Sequence, residues 1–278
     1  MSTRIASRFA SLKRANRAAL VAYVMASDPD QESCFEILKG LPAAGADVIE
    51  LGFPFTDPMA DGPSIQKAAL RSLKAGGSLR NTLDLARRFR ETDKDTPLIL
   101  MGYANPIEQM GYDTFASNMA HAGADGAIVV DLPPEEDAPL RRAFAPHALS
   151  IIRLATPTTN DKRLTKVLEG ASGFLYYVSV AGVTGANAAS AGDVRAAVER
   201  LQRATDLPIA VGFGVREPDA ARAIARSADA VVVGSAFVDE IAAGPAAQAP
   251  ERVLRKVALL SEAVRSARDA ADVEGIRA

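Results

Sequence analysis

The chain has 278 residues, 48% of them apolar, and a formal net charge of -2 from 32 Lys plus Arg against 34 Asp plus Glu. That much apolar mass can bury a sizeable core and excludes a disordered or fibrous chain, while the missing basic excess argues against a nucleic-acid partner. One Cys, Cys34, excludes an internal disulfide framework, and two His, His121 and His147, leave too little imidazole for most zinc or non-haem iron sites. No apolar run approaches the roughly 18 residues needed to span a bilayer, so the expectation is a soluble, cytoplasmic, metal-free protein with no membrane association.

Residues 1–27 carry Arg4, Arg8, Lys13, Arg14 and Arg17 and no acid, a composition like an organellar transit peptide. Against that, Ile5, Phe9 and Leu12 fall on one helical stripe, and a strand-like run follows without a spacer. A helix closing one end of the fold is expected.

Eight short apolar runs then recur: Ala19–Met25, Asp47–Phe53, Pro97–Tyr103, Asp125–Asp131, Leu149–Ala155, Gly173–Val180, Leu207–Gly212 and Asp229–Gly234. Each is bounded by Gly, Pro, Asp or Ser and followed by helical periodicity. Spread over 278 residues, eight runs give about 35 residues per unit, the size of a strand, a helix and two loops. Three strand entries echo one another, at Ala46-Asp47, Ala124-Asp125 and Ala228-Asp229. Near-continuous apolar strands indicate a parallel sheet covered on both faces. The spacing predicts one closed (β/α)8 TIM barrel over residues 1–278, with the N-terminal closing helix and extra helices, and no linker that would separate a second domain. Two long connections, Pro54 to Gly62 and Ala181 to Gly192, follow strand C-terminal ends, where barrel enzymes carry their sites.

In the second run a period of two separates Ile49 and Leu51 from Val48, Glu50 and Gly52. If the more apolar face meets the helices, Glu50 points into the barrel, where an unpaired carboxylate is costly and is either functional or part of a structural ion pair. Asp61 lies just ahead of Pro63, a residue suited to a first helical turn, so it is either a helix cap or the second member of an acid/base pair at one barrel mouth. Glycines at Gly182 and Gly185, at Gly212 and Gly214, and at Gly234 before Ser235 converge on a phosphate-binding reading. Tyr103 and Tyr176, near strand ends, suit pocket walls or core packing equally. All eight Lys fall outside the strand runs, so no Schiff-base lysine is expected and bond cleavage rests on carboxylates.

The segment Glu50-Leu51-Gly52-Phe53-Pro54-Phe55-Thr56-Asp57-Pro58-Met59-Ala60-Asp61-Gly62-Pro63 resembles the signature of the tryptophan synthase alpha chain family. It is joined in order by Asp28-Pro29, Tyr103-Ala104-Asn105-Pro106, Asp131-Leu132-Pro133, Gly182-Val183-Thr184-Gly185, Gly212-Phe213-Gly214 and Gly234-Ser235-Ala236. The resemblance implies a barrel lyase that splits indole-3-glycerol phosphate into indole and glyceraldehyde 3-phosphate for tryptophan biosynthesis. It implies Glu50 as the general acid/base and Asp61 as the carboxylate that holds the indole N–H. Tyr23, Tyr103, Tyr176, Thr184 and Phe213 become the substrate pocket, and Gly185, Gly214, Gly234 and Ser235 the phosphate cradle. It further implies a beta chain partner in an alpha2-beta2 tetramer, met through Pro54, Asp57 and Asp131. No cofactor is implied in this chain, pyridoxal phosphate belonging to the beta chain. Three departures stand out: Ala22 for a frequent Pro, Ser27 for the Gly usual before Asp28-Pro29, and Ala181 for a frequent Thr.

Overall fold

A computed structural model describes residues 3–178, 191–212 and 214–269. The chain begins with α1 (Arg4–Arg14), whose N-cap Thr3 accepts the Ala6 N–H and whose buried face is Ile5, Phe9 and Leu12. Strands and helices then alternate: β1 (Ala19–Met25), α2 (Gln31–Ala44), β2 (Val48–Gly52), α3 (Pro63–Lys74), α4 (Leu79–Thr92), β3 (Leu98–Gly102), α5 (Ala104–Met110), α6 (Tyr112–Ala122) and β4 (Gly126–Val129). The second half runs α7 (Ala138–Phe144), β5 (Ser150–Ile151), β6 (Arg153–Ala155), α8 (Asp161–Leu168), β7 (Leu175–Val178), α9 (Ala191–Gln202), β8 (Ile209–Gly212), α10 (Pro218–Ala225), β9 (Ala230–Val233), α11 (Ser235–Ala242) and α12 (Ala249–Arg265).

All the strand pairs are parallel, in the order β5-β4-β3-β2-β1-β9-β8-β7-β6. The ninth strand does not add a unit. The fifth predicted run, Leu149–Ala155, breaks at Ile152, so that its first half pairs with β4 and its second half with β7. The Ile152 N–H still donates to Ala127 O at 3.0 Å, and this one run joins the two ends of the sheet into a TIM barrel. The extra helices are α3 before α4, α5 before α6, and α11 before α12.

Alternation along the strands builds two apolar layers. Leu20, Ile49, Leu51, Leu98 and Leu100 face outward and pack under the helices. Val21, Val48, Ile99, Ile128, Phe174, Ala210 and Val232 face inward, and Ile5, Phe9 and Leu12 of α1 join them. The first helix is therefore a plug in the strand-entry end of the barrel, with Phe9 and Phe174 rings 5.8 Å apart. Its cations bond the aspartates at that end: Arg4 reaches Asp125 at 2.8 Å, and Arg17, from the loop after it, reaches Asp47 at 2.7 Å.

The echoed aspartates have a common job. Asp47 accepts the N–H of Leu20 at 3.0 Å, Asp125 that of Leu98 at 2.9 Å, and Asp229 that of Ile209 at 2.8 Å. Each carboxylate thus fastens the start of the neighbouring strand and satisfies a backbone donor at the sheet end.

Candidate active site

The opposite end of the barrel, where the strands finish, gathers the candidate residues. Glu50 faces inward from β2, fully buried, and neither carboxylate oxygen has a hydrogen-bond partner among the described residues. Burial alone pushes its pKa up to about 8, because nothing nearby offsets the lost hydration. The structural ion pair that the sequence left open is absent among the described residues.

Asp61 is not a helix cap. Gly62 occupies that position of α3, with Pro63 in the first turn, and makes no side-chain cap. The Asp61 loop is folded by its own backbone, the Met59 N–H donating to Asp57 O at 2.9 Å and the Asp61 N–H to Pro58 O at 3.1 Å. The Tyr103 hydroxyl just past the end of β3 accepts the Ala60 N–H at 3.0 Å and faces the Asp61 carboxyl closely enough to hold its pKa down. Burial raises Asp61 to about 6 and the Tyr103 contact pulls it back in part. The two carboxyl groups are therefore separated by environment: near neutral pH Glu50 holds its proton while Asp61 is ionised, the division of labour that acid/base pairs need.

Aromatic rings close around them. Tyr23 stands opposite Glu50 in the register of β1 on β2, and Tyr176 faces inward from β7. Burial, followed by the nearby carboxylates, raises both phenols well above their ordinary range, so each is a neutral donor. A cleft of about 10 Å³, room for one water, is lined by Tyr23, Phe55, Asp61, Met101 and Tyr103 among others. Phe55 and Tyr103 rings lie 5.5 Å apart. Sequence reading missed Phe55 and Met101 as pocket residues; for Met101 the signal was the alternation that puts it on the same face as Ile99.

At the end of β9, beside β1, Gly234 precedes the first residue of α11, Ser235, and no side chain caps that helix. The first N–H groups of a helix lack intrahelical acceptors and suit an anion. Gly214 sits at φ 64°, a left-handed backbone that favours glycine, with open space where a Cβ would stand. Thr184, Gly185 and Phe213, together with the departure Ala181, lie outside the described residues.

Of the residues expected to meet a partner, Asp57 and Asp131 are exposed, whereas Pro54 is buried. Asp131 also accepts the Ala104 N–H at 2.8 Å, tying the loop after β4 to the start of α5. Cys34 is buried on α2, its thiol pushed up to about 12 by burial, which disqualifies it as a nucleophile. The lysines lie on helices or, for Lys94, in a loop. Among the described residues no group of His, Cys, Asp or Glu is arranged to hold a metal ion, and no helix is long and apolar enough to cross a membrane.

The family model for the tryptophan synthase alpha chain matches residues 9–269. The chain belongs to the tryptophan synthase alpha chain family. It is 60% identical over 269 residues to the tryptophan synthase alpha chain of Caulobacter vibrioides, covering 95% of this chain and 97% of that relative. The Caulobacter sp. strain K31 protein is equally similar, with the same coverage. Among solved structures, the Legionella pneumophila tryptophan synthase alpha chain superposes with a TM-score of 0.88 at 37% identity, covering 97% of this chain and all of that one. A chain of Mycobacterium tuberculosis tryptophan synthase gives 0.86 at 32% identity, covering 95% of this chain and all of that one. A tryptophan synthase alpha chain is a lyase that cleaves indole-3-glycerol phosphate to indole and glyceraldehyde 3-phosphate in tryptophan biosynthesis, and its partner is a beta chain, which holds the pyridoxal phosphate.

Proposed function

We propose that Glu50 and Asp61 carry this cleavage, and that the chain performs it with its own side chains and backbone, without a cofactor of its own. The observation behind this reading is the buried Glu50 carboxyl, unpartnered among the described residues and pushed up to about 8 by burial. Protonated at neutral pH, Glu50 delivers its proton to the indole ring carbon that bears the side chain. Asp61, ionised, accepts the indole N–H and steadies the positive charge that this protonation creates. Glu50, now a carboxylate, takes the proton of the side-chain hydroxyl; the C–C bond breaks, its electron pair returns to the ring, and the aldehyde forms. Tyr103 orients Asp61, while Tyr23 and Tyr176, with Thr184 and Phe213, wall the pocket. Gly185, Gly214, Gly234 and Ser235 hold the phosphate.

Residues 1–278 act as one barrel domain, in the cytoplasm, within an alpha2-beta2 tetramer. The exposed loop carrying Asp57 and Met59, with Asp131 beside it, supports a beta chain contact at the mouth, where indole leaves. The experiment is incubation with indole-3-glycerol phosphate, with and without a beta chain, following indole fluorescence; the chain has no Trp to contribute background. Indole release that rises strongly on adding the beta chain is expected. No release in either condition overturns the reading.

A further inference from the structure

The ring of Tyr23 spans the mouth in a way that gives its hydroxyl a separate role. At one edge it lies against the phosphate-side loop: a Cβ at Gly234 would stand 3.3 Å from Tyr23 Cδ1. At the other edge its Oη occupies the space over Gly52, where a Cβ would overlap it. Gly52 follows Glu50 on the inward face of β2, one step nearer the mouth, and the register pairs Tyr23 with Glu50 and Met25 with Gly52. The hydroxyl therefore stands on the mouth side of the Glu50 carboxyl, the side from which a substrate arrives. Its partner there is the Met25 thioether, at 3.9 Å, a weak acceptor. A buried phenol that gives its proton to sulfur has its strong hydrogen bond still to make.

We infer that the Tyr23 hydroxyl is a third catalytic group, donating a hydrogen bond to the substrate oxygen that becomes the aldehyde carbonyl. This rests on the assignment of Glu50 above. Phosphate at Gly234 and reacting carbon at Glu50 place the three-carbon chain along the tyrosine ring, with the oxygen at the cleaving bond beside Oη. During cleavage the O–H proton passes to the Glu50 carboxylate, the O–H electrons become the C=O π bond, and the C–C pair returns to the indole. The phenol proton stays on Tyr23 throughout. Its bond strengthens as negative charge builds on the oxygen, so it acts in the transition state more than in the ground state. Burial and the two flanking carboxylates keep this phenol protonated across the working pH range.

The test is Tyr23→Phe, which keeps the ring and removes the donor, assayed with indole-3-glycerol phosphate in the complex with a beta chain. The expected result is a fall in kcat of roughly 10- to 100-fold with KM nearly unchanged, at or below the loss seen when a dedicated oxyanion donor is removed. A second form with 3-fluorotyrosine at position 23 has a stronger donor and should recover kcat relative to Phe. Unchanged kcat in Tyr23→Phe overturns the inference, as does a loss that 3-fluorotyrosine fails to reverse, since that loss would be packing. Glu50→Gln run alongside separates the two assignments. If that variant still turns over, the Glu50 reading fails; if it is dead while Tyr23→Phe is normal, only the role of Tyr23 falls.

Discussion

The two ends of this barrel treat their carboxylates in opposite ways. At the strand-entry end Asp125 is buried and saturated, accepting the Leu98 N–H at 2.9 Å, Arg4 at 2.8 Å and Arg90 at 3.3 Å. At the strand-exit end Glu50 is equally buried, yet no described group bonds it. A carboxylate with both oxygens bonded to fixed donors is a fastener, and its worth is in stability. One left bare in a buried pocket weakens the fold once it ionises, and it keeps its proton up to near-neutral pH, where it can exchange it with a substrate. Both kinds come from the same residue class on the same sheet, so the division reflects what is placed around them.

Six measurements test this contrast. Glu50→Gln should lower indole release by roughly 10²–10⁴-fold while substrate still binds, because shape survives and proton transfer does not; near-normal kcat would end the distinction. Asp125→Ala should do the reverse, costing about 3 kcal/mol in denaturant unfolding by taking the shared carboxylate from Arg4 and Arg90 and leaving the Leu98 N–H without its acceptor, with kcat kept in the molecules that remain folded. A stable Asp125→Ala protein would show that the strand-entry end is not fastened as described.

The pH dependence tests the exit end directly. With Asp61 required as the anion and Glu50 as the acid, kcat/KM should decline below about 6 and above about 8. Stability follows the same group: Glu50 is raised in the fold, so its contribution is whole below about 4.5 and is lost as pH climbs through about 8. Glu50→Gln cannot ionise, and its Tm advantage over the wild type should widen across that window; a constant gap would mean that Glu50 titrates normally. Gly234→Val should weaken product inhibition by glyceraldehyde 3-phosphate, since its side chain meets the Tyr23 ring and crowds the first turn of α11; unchanged inhibition moves the phosphate elsewhere. The smallest effect is expected at Ser27, which sits at φ 61° with its buried hydroxyl unpartnered among the described residues. Ser27→Gly should add about 1 kcal/mol by relieving the left-handed backbone, read as a rise in Tm; a fall would show that the hydroxyl is bonded.

Much of this contrast was legible in the residues. The eight runs announce themselves because strands covered on both faces must be apolar throughout, and β1 begins and ends where expected, at Ala19 and Met25. The inward aim of Glu50 follows from alternation once the more apolar face, Ile49 and Leu51, is turned to the helices. The break at Ile152 was invisible, because it reflects which neighbour each half of one run can reach. Nor could the run reveal that Arg153 is buried against Asp137, an ion pair between residues 16 positions apart. The Ala-Asp echoes were visible as a repeat, but their partners lie one strand away in space and 20 to 27 positions away in sequence. Asp61 stayed ambiguous between cap and catalyst for the same reason: Tyr103, which orients its loop, is 43 positions downstream of Ala60. Local pattern gives period and face; distant partners decide whether a carboxylate is tied or bare.

The plug helix has a consequence for how this protein comes into being. α1 leaves the ribosome well before the surfaces it seals: its Arg4 bonds Asp125, 121 positions on, and its Phe9 packs on Phe174. Until Phe174 has emerged, Ile5, Phe9 and Leu12 have no finished seat, so a segment made before the barrel is locked in place only with it. A nascent chain halted before Phe174 thus carries a cationic, amphipathic helix whose apolar stripe is still without the ring that seats it.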